Sequence, residues 1–272
     1  VWISEIMLQQ TQVSTVTAYY TRWVARWPTV HDLARASPEE VREMWAGLGY
    51  YSRASRLLEG AVTVVKEMGG VLPGDAVGLK KNVGGIGPYT AGAIASIAYN
   101  QPEPLVDGNV VRVLSRLCAI GADPKAKDTI ALHWSLAEDI LDRTHPGDFN
   151  QALMDLGATI CTPQNPECGK CPVSEHCRAL AEVRCMIPSS FRHCKGGRRD
   201  RRNPAPCTLC IPVDIEDCGV TRYPLKVKKK APRDQDCAVC IVQHQPDGGG
   251  PPQYLVVLGP ETGLLANLWD FP

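Results

Sequence analysis

Four cysteines at the spacing Cys161-x6-Cys168-x2-Cys171-x5-Cys177 constrain this chain more than any other feature. Pro163, Pro166 and Pro172 stiffen the loop between them. The chain holds 12 cysteines in 272 residues, yet residues 1–160 contain only Cys118, and the other eleven lie between 161 and 240. Such crowding in a long chain is the pattern of metal ligation in a reducing compartment rather than of a secreted disulfide scaffold. Four thiolates at these spacings suit tetrahedral zinc or an iron–sulfur cluster, and spacing alone does not choose between them.

What surrounds the quartet reads as helix. Val13, Val16, Tyr20, Trp23, Val24 and Trp27 recur at helical spacing until Pro28 stops the run. Ser37-Pro38-Glu39-Glu40 is a capping box with proline at the first helical position, opening a helix through Met44 and Trp45. Leu57, Leu58, Ala61, Val62 and Val65 form a stripe that ends at Gly69-Gly70. Val110, Val113, Leu114 and Leu117 form another face, as do Ile130, Trp134, Leu136, Ala137, Ile140 and Leu141. No alternating strand precedes residue 236, so the first 160 residues read as an all-α domain with enough apolar content for a packed core.

Residues 188–234 change character, with basic runs at Arg198–Arg202 and Lys226–Lys230 among prolines and cysteines, and read as a connector with little core of its own. From Cys237 two β-prone runs, Cys237–Val242 and Tyr254–Leu258, flank the turn-rich Pro246-Asp247-Gly248-Gly249-Gly250 and predict a hairpin. No run of 18 apolar residues occurs. The chain starts Val1-Trp2-Ile3 inside an amphipathic pattern and stops at Pro272 just after an apolar stretch, so both ends read as cut. Net charge is zero, from 29 Lys/Arg and 29 Asp/Glu. Residues 1–187 carry 17 basic and 20 acidic side chains, and residues 188–272 carry 12 and 9. Neutrality weakens a nucleic-acid reading without excluding it, because a duplex reader needs local positive potential and backbone donors.

Val83-Gly84-Gly85-Ile86-Gly87-Pro88-Tyr89-Thr90 lies between two helical segments. Its glycines allow a tight turn that presents N–H groups at a helix start, a phosphate cradle, although an ordinary interhelical turn has the same composition. A small-residue helix from Thr90 to Ala98 follows, then a loop with Pro102 and Pro104, then Val106-Asp107-Gly108-Asn109 at another helix start. This succession resembles the helix-hairpin-helix DNA glycosylase superfamily. Ser4-Glu5-Ile6-Met7-Leu8-Gln9-Gln10-Thr11-Gln12-Val13 and Gly47-Leu48-Gly49-Tyr50-Tyr51-Ser52-Arg53 narrow the resemblance to the MutY-type adenine DNA glycosylases. It runs from residue 1 to about 187. Gly84 departs from it, since the family usually has proline there, and that substitution is expected to loosen the turn.

The resemblance implies a chemistry that the residue types support. An acid protonates the leaving base while a carboxylate stabilises an oxocarbenium-like sugar. Glu5 matches the acid, with Ile3, Ile6 and Leu8 as apolar neighbours expected to raise its pKa. Asp107 matches the carboxylate facing the sugar, with Asn109 to hold it, although singly Glu5 reads as a solvated helix residue and Asp107 as an N-cap. Tyr89 stands where endonuclease III-like relatives carry a Schiff-base lysine, which implies a monofunctional enzyme. Gln10, Thr11, Leu48 and Tyr50 match residues that probe the duplex beside a mispaired 8-oxoguanine; Gly85 and Gly87 match the phosphate contact, and Gln151 the contact to the flipped adenine. Tyr50 and Tyr89 equally suit simple packing roles.

For Cys161, Cys168, Cys171 and Cys177 the resemblance implies a [4Fe–4S] cluster. Cys194, Cys207 and Cys210 resemble the zinc site in the connector of animal MutY homologues, with Cys185 and Cys218 as rival third ligands. Cys237 and Cys240 read as buried strand cysteines rather than a second zinc pair. Residues 263–272 resemble the opening of a Nudix-like domain that recognises 8-oxoguanine. The expected fold class is mainly α: a glycosylase domain with an iron–sulfur loop over 1–187, a connector over 188–234, and the incomplete start of a Nudix-like α/β domain over 235–272. The implied partner is double-stranded DNA with A:8-oxoguanine or A:G mispairs, with sliding clamps (9-1-1, proliferating-cell nuclear antigen) and AP endonuclease beside it, in the nucleus and also the mitochondrion. Two rival readings are a bifunctional glycosylase/AP lyase and a non-catalytic metal-bearing DNA-binding module.

Overall fold

The computed structural model describes residues 1–186, 219–227, 238–246, 248–259 and 269–272. Two compact units divide the chain: residues 1–73, 78–86 and 230–272 form one, and residues 74–77 and 87–229 the other.

In the first unit, α1 (Trp2–Leu8), α2 (Val13–Arg26), α3 (Val30–Ala34), α4 (Pro38–Trp45) and α5 (Ser52–Met68) pack around three indoles. Trp23 meets Trp27 and Trp45 edge-on, with ring centroids 4.8 and 5.6 Å apart, the arrangement that aromatic quadrupoles favour. The capping box at α4 closes as the sequence predicts: Glu40 N–H donates to Ser37 Oγ at 3.2 Å, and Ser37 N–H to the Glu40 carboxylate at 2.9 Å. Helix α2 ends where Pro28 approaches, and α5 ends on Gly69 in the left-handed conformation. Helix α6 (Ala76–Asn82) leads into the glycine hairpin.

The second unit contains α7 (Pro88–Tyr99), α8 (Gly108–Leu117), α9 (Lys127–Asp139) and α10 (Pro146–Asp155). A π-helical turn (Leu156–Ile160), a 3₁₀ turn (Ser174–His176) and α11 (Arg178–Met186) follow. Ala93, Leu105, Val110, Val113, Leu114, Ala137 and Leu153 form its core, and each large aliphatic side chain removed from water contributes about 1.5–3 kcal/mol. Two expectations are corrected here. Helix α9 buries Thr129, His133 and Ala137, while Ile130 and Ile140 are exposed, so its inward face is not the most apolar one. Burial follows from a polar tie: His133 Nε2 lies 2.9 Å from Ser115 Oγ on α8, and its Nδ1 lies 2.7 Å from the Thr129 carbonyl. The connector also has packed residues of its own within 219–227, where Val220 and Tyr223 are buried against Ala179 and Leu180.

Among the described residues every strand follows residue 236, as the sequence predicts. Strands β1 (Gln243–His244) and β2 (Gln253–Tyr254) pair antiparallel, as do β3 (Val257–Leu258) and β4 (Trp269–Asp270). The hairpin therefore forms around residues 245–252, but its first strand lies just after the expected Cys237–Val242. Cys240 is exposed, not buried as predicted, because these two-stranded ladders have no second layer over them among the described residues. Cys194, Cys207, Cys210, Cys218, Cys237 and the Cys185 side chain lie outside the described residues, as does the Nudix-like match over 263–268. No helix among the described residues is long and apolar enough to cross a membrane.

Candidate active site and thiol-lined recess

Asp107 is the N-cap of α8, as one of its two sequence readings predicts. One carboxylate oxygen caps the helix, accepting from Val110 N–H at 2.7 Å, and the other accepts from Asn109 Nδ2 at 2.8 Å. The helix N-terminus is where a carboxylate is favoured by the peptide dipoles. Two donors thus hold the group in one orientation.

Asn109 is held in turn. Its side-chain oxygen accepts from Arg112 Nη2 at 2.7 Å; the same nitrogen donates to the Gly157 carbonyl at 2.6 Å, and Arg112 Nε donates to the Cys161 carbonyl at 2.7 Å. Gly157 permits this approach, since a Cβ there would lie 2.6 Å from Asn109 Cβ. Burial and the neighbouring Arg116 pull the Arg112 pKa down, and Cys161 and Asp107 act against that. An unbroken chain of contacts therefore runs from the Asp107 carboxylate to the first cysteine of the quartet.

The four thiols line a recess walled by Val113, Leu117, Leu180 and Val220. Among the described residues no three Cys, His, Asp or Glu side chains converge as ligands of one metal ion. Four cysteine thiols beside apolar walls are the donor set that an iron–sulfur cluster takes. The donor set and the recess fit an iron–sulfur cluster. Burial, then the neighbouring thiols, push Cys168 up, and burial pushes Cys177 up. Arg116 is 2% exposed and donates to Cys161 Sγ at 3.3 Å and to the carbonyls of Cys161, Thr162, Pro163 and Tyr223. It pins the loop that carries the first ligand.

In the first unit Glu5 is buried on α1 beside buried Ile6, with Ile3 and Leu8 half-buried. Gln10 and Tyr50 are exposed, and both are left-handed, with φ of 59° and 49°. Such non-glycine residues cost about 1–2 kcal/mol each, and strained positions cluster at functional sites. Thr11 is half-buried, and its hydroxyl donates to the Gln9 carbonyl at 3.3 Å. Leu48 departs from expectation: it is 5% exposed and packs under its loop instead of projecting as a probe. At the hairpin, Ile86 N–H donates to the Val83 carbonyl at 3.3 Å and Gly85 takes φ of 83°, a type II turn that closes despite Gly84. Gly85 and Gly87 are exposed there.

In the second unit Tyr89 is half-buried, its hydroxyl 3.5 Å from Met154 Sδ. Gln151 is exposed and its amide donates to the Gly147 carbonyl of its own helix at 3.0 Å, so it must turn outward to read a base. Next to it, Asn150 is buried and donates to Ser96 Oγ and the Glu103 carbonyl at 3.0 and 2.9 Å, joining α10 to α7 and the loop after it.

Residues 3–139 match the model of the HhH-GPD superfamily base excision DNA repair protein. The chain belongs to that superfamily. Residues 161–177 match the iron–sulfur binding domain of endonuclease III, so this HhH-GPD protein carries a [4Fe–4S]-type binding loop on the four cysteines around the recess. It is similar to adenine DNA glycosylases of Rattus norvegicus (50% identity, all of this chain and 53% of the rat protein) and Homo sapiens (49%, all of this chain and 50% of the human protein). The chain thus spans about half the length of the curated relatives it matches. Among solved structures, a thermostable thymine-DNA glycosylase aligns with TM-score 0.60 and 29% identity over 66% of this chain and 82% of its own. A trapped endonuclease III–DNA intermediate aligns with TM-score 0.58 at 23% identity, over 68% of this chain and 84% of its own, and shares the fold.

Arginines 53, 112 and 116 and Asn150 were not singled out as site residues by sequence reasoning. The readable signal for Arg116 is a basic residue three positions from Val113 on an apolar helix face.

Proposed function

We propose that this chain carries the glycosylase half of a monofunctional adenine DNA glycosylase that acts on adenine mispaired with 8-oxoguanine or guanine. Its domains are the glycosylase over 1–187, the connector over 188–234 and the start of a Nudix-like 8-oxoguanine reader over 235–272. The observation that carries this reading is the similarity, along the whole chain, to rat adenine DNA glycosylase.

The adenine is extruded from the duplex before reaction. Glu5 donates a proton to N7 of the flipped adenine, which then leaves with the electrons of the N-glycosidic bond. The Asp107 carboxylate, fixed by Val110 N–H and Asn109, stabilises the positive charge that develops on the sugar. Water adds to the sugar carbon and loses a proton, leaving free adenine and an abasic site. Tyr89 offers no amine for a Schiff base, which supports hydrolysis without strand cleavage. Gln10, Thr11, Tyr50, Gly85, Gly87 and Gln151 contact the mispaired duplex, and Leu48, buried beneath them, supports the loop that carries Tyr50. An iron–sulfur cluster on the quartet holds the 161–177 loop in place and leaves the chemistry to the carboxylates. Zinc on Cys194, Cys207 and Cys210 and contacts with sliding clamps and AP endonuclease belong to the same reading, as do a nuclear and a mitochondrial location.

Single-turnover release of adenine from A:8-oxoguanine and A:G duplexes tests the proposal. The full-length protein should release adenine from both. Glu5→Gln should slow release by about 10²–10⁴-fold, the usual worth of a positioned acid, with duplex binding retained. No release by the full-length protein sinks the reading; strand nicking with borohydride trapping replaces it with the lyase.

A further inference from the structure

Arg53, the second residue of α5, is 7% exposed, and its guanidinium is surrounded by main-chain oxygens of two loops. Toward α1, Nη1 donates to the carbonyls of Ile6 and Met7 at 3.0 and 3.1 Å and to that of Gln9, and Nη2 lies 3.3 Å from Thr11 Oγ1. Toward the 47–50 loop, Nη2 donates to the carbonyls of Gly49 and Leu48 at 3.0 and 3.3 Å, and Nε lies 3.4 Å from that of Tyr50. The carbonyls at the end of a helix lack partners within it, and Arg53 supplies them for α1. Its carbon Cζ also lies 5.2 Å from the Trp45 ring centroid and 5.4 Å from that of Tyr50, so the flat cation rests against both rings.

Both loops contain backbone outside the ordinary regions. Gln10 and Tyr50 are left-handed without being glycine, and Gly47 and Gly49 are left-handed beside Tyr50. Other ties are local: Thr11 N–H donates to the Leu8 carbonyl and Leu48 N–H to that of Trp45, while Trp45 Nε1 donates to the Gly49 carbonyl and Gly47 N–H to the Tyr51 hydroxyl, so none of them joins one loop to the other. A planar fork of five donors reaches both loops at once, which a lysine ammonium on a flexible stem does not.

We infer that Arg53 is a positioning residue that locks the loops of Gln10 and Tyr50 into one preformed surface for reading the base opposite the adenine. This rests on the adenine glycosylase reading above. Arg53 touches neither base nor sugar; it acts through the two loops, so its loss should cost discrimination more than chemistry.

The test uses the full-length protein with Arg53→Lys and Arg53→Met. Single-turnover adenine release is measured on A:8-oxoguanine and A:G duplexes of one sequence, with cluster absorbance and thermal melting as checks of the fold. Both variants should melt cooperatively and keep the cluster. The ratio of the 8-oxoguanine rate to the guanine rate should fall at least about ten-fold in each, with Lys recovering little of it. An unchanged ratio, an equal loss on both duplexes, or variants that neither melt cooperatively nor hold the cluster each overturn the inference, the last because Arg53 would then be holding the fold as a whole. If the unaltered protein releases no adenine from either duplex, the glycosylase reading fails first and takes this inference with it.

Discussion

At the scale of single residues, the acid proposed at Glu5 and the carboxylate proposed at Asp107 are useful only if other groups hold them. For Asp107 the holding group is Asn109, and behind Asn109 stands Arg112. Arg112→Gln should therefore slow adenine release by about 10–100-fold, because a hydrogen bond to a charged group contributes about 1.5–3 kcal/mol. Rates measured at saturating enzyme, with cluster absorbance unchanged, check this; a wild-type rate would show that Asn109 is oriented without Arg112. Glu5 and Asp107 are visible in the sequence because their neighbours form long motifs. Arg112 is not, since an arginine on a half-buried helix face reads as solvated until the π-helical turn is known to supply its acceptors.

At the scale of elements, the hairpin and the α8–α9 pair each carry a prediction. Gly84 occupies the second position of a type II turn, where proline is preorganised, and a Cβ there meets nothing within 4 Å. Gly84→Pro should stabilise the protein by about 0.4–1 kcal/mol through the unfolded state, raising Tm by about 1–3 °C; a lower Tm in calorimetry would contradict the turn assignment. His133 has its pKa lowered by burial, against the hydrogen bond to Thr129. A base with a depressed folded pKa favours the neutral ring in the folded state. Its contribution is therefore present above the ordinary histidine pKa of about 6.5 and is lost as pH falls below it. Between about pH 7 and pH 5 the protein should lose more stability than His133→Gln does, read as Tm at each pH. Parallel curves would assign the acid sensitivity elsewhere. The helices, their caps and the hairpin glycines were legible because they depend on local spacing. The inward face of α9 was not, because a Ser–His–Thr tie outranked the apolar residues beside it.

At the scale of the molecule, the quartet closes the second unit, and α8 reaches it through two arginines. Removing iron should free residues 161–177 and release Arg116 from its carbonyls, since ligand binding and local folding are one equilibrium in such loops. Hydrogen exchange should show amides in 161–177 and at the C-terminal end of α8 losing protection in the apo-protein, with α4 and α5 of the other unit little changed. Protection that persists without iron would mean that the loop is held by Arg116 and the 219–227 segment alone.

What the sequence determined by itself is the part written in short-range code: helices from periodicity and caps, a tight hairpin from glycines, a multi-cysteine centre from spacing, and two acids from the motifs around them. Tertiary structure decided which groups serve those acids and loops. It buried Leu48, made Asp107 the cap of α8, and lined one recess with all four thiols of the quartet. It also placed Arg53, Arg112 and Arg116 where carbonyls from distant stretches converge. Local spacing is set by a few neighbouring residues, whereas a buried guanidinium is satisfied only by acceptors that the fold brings to it.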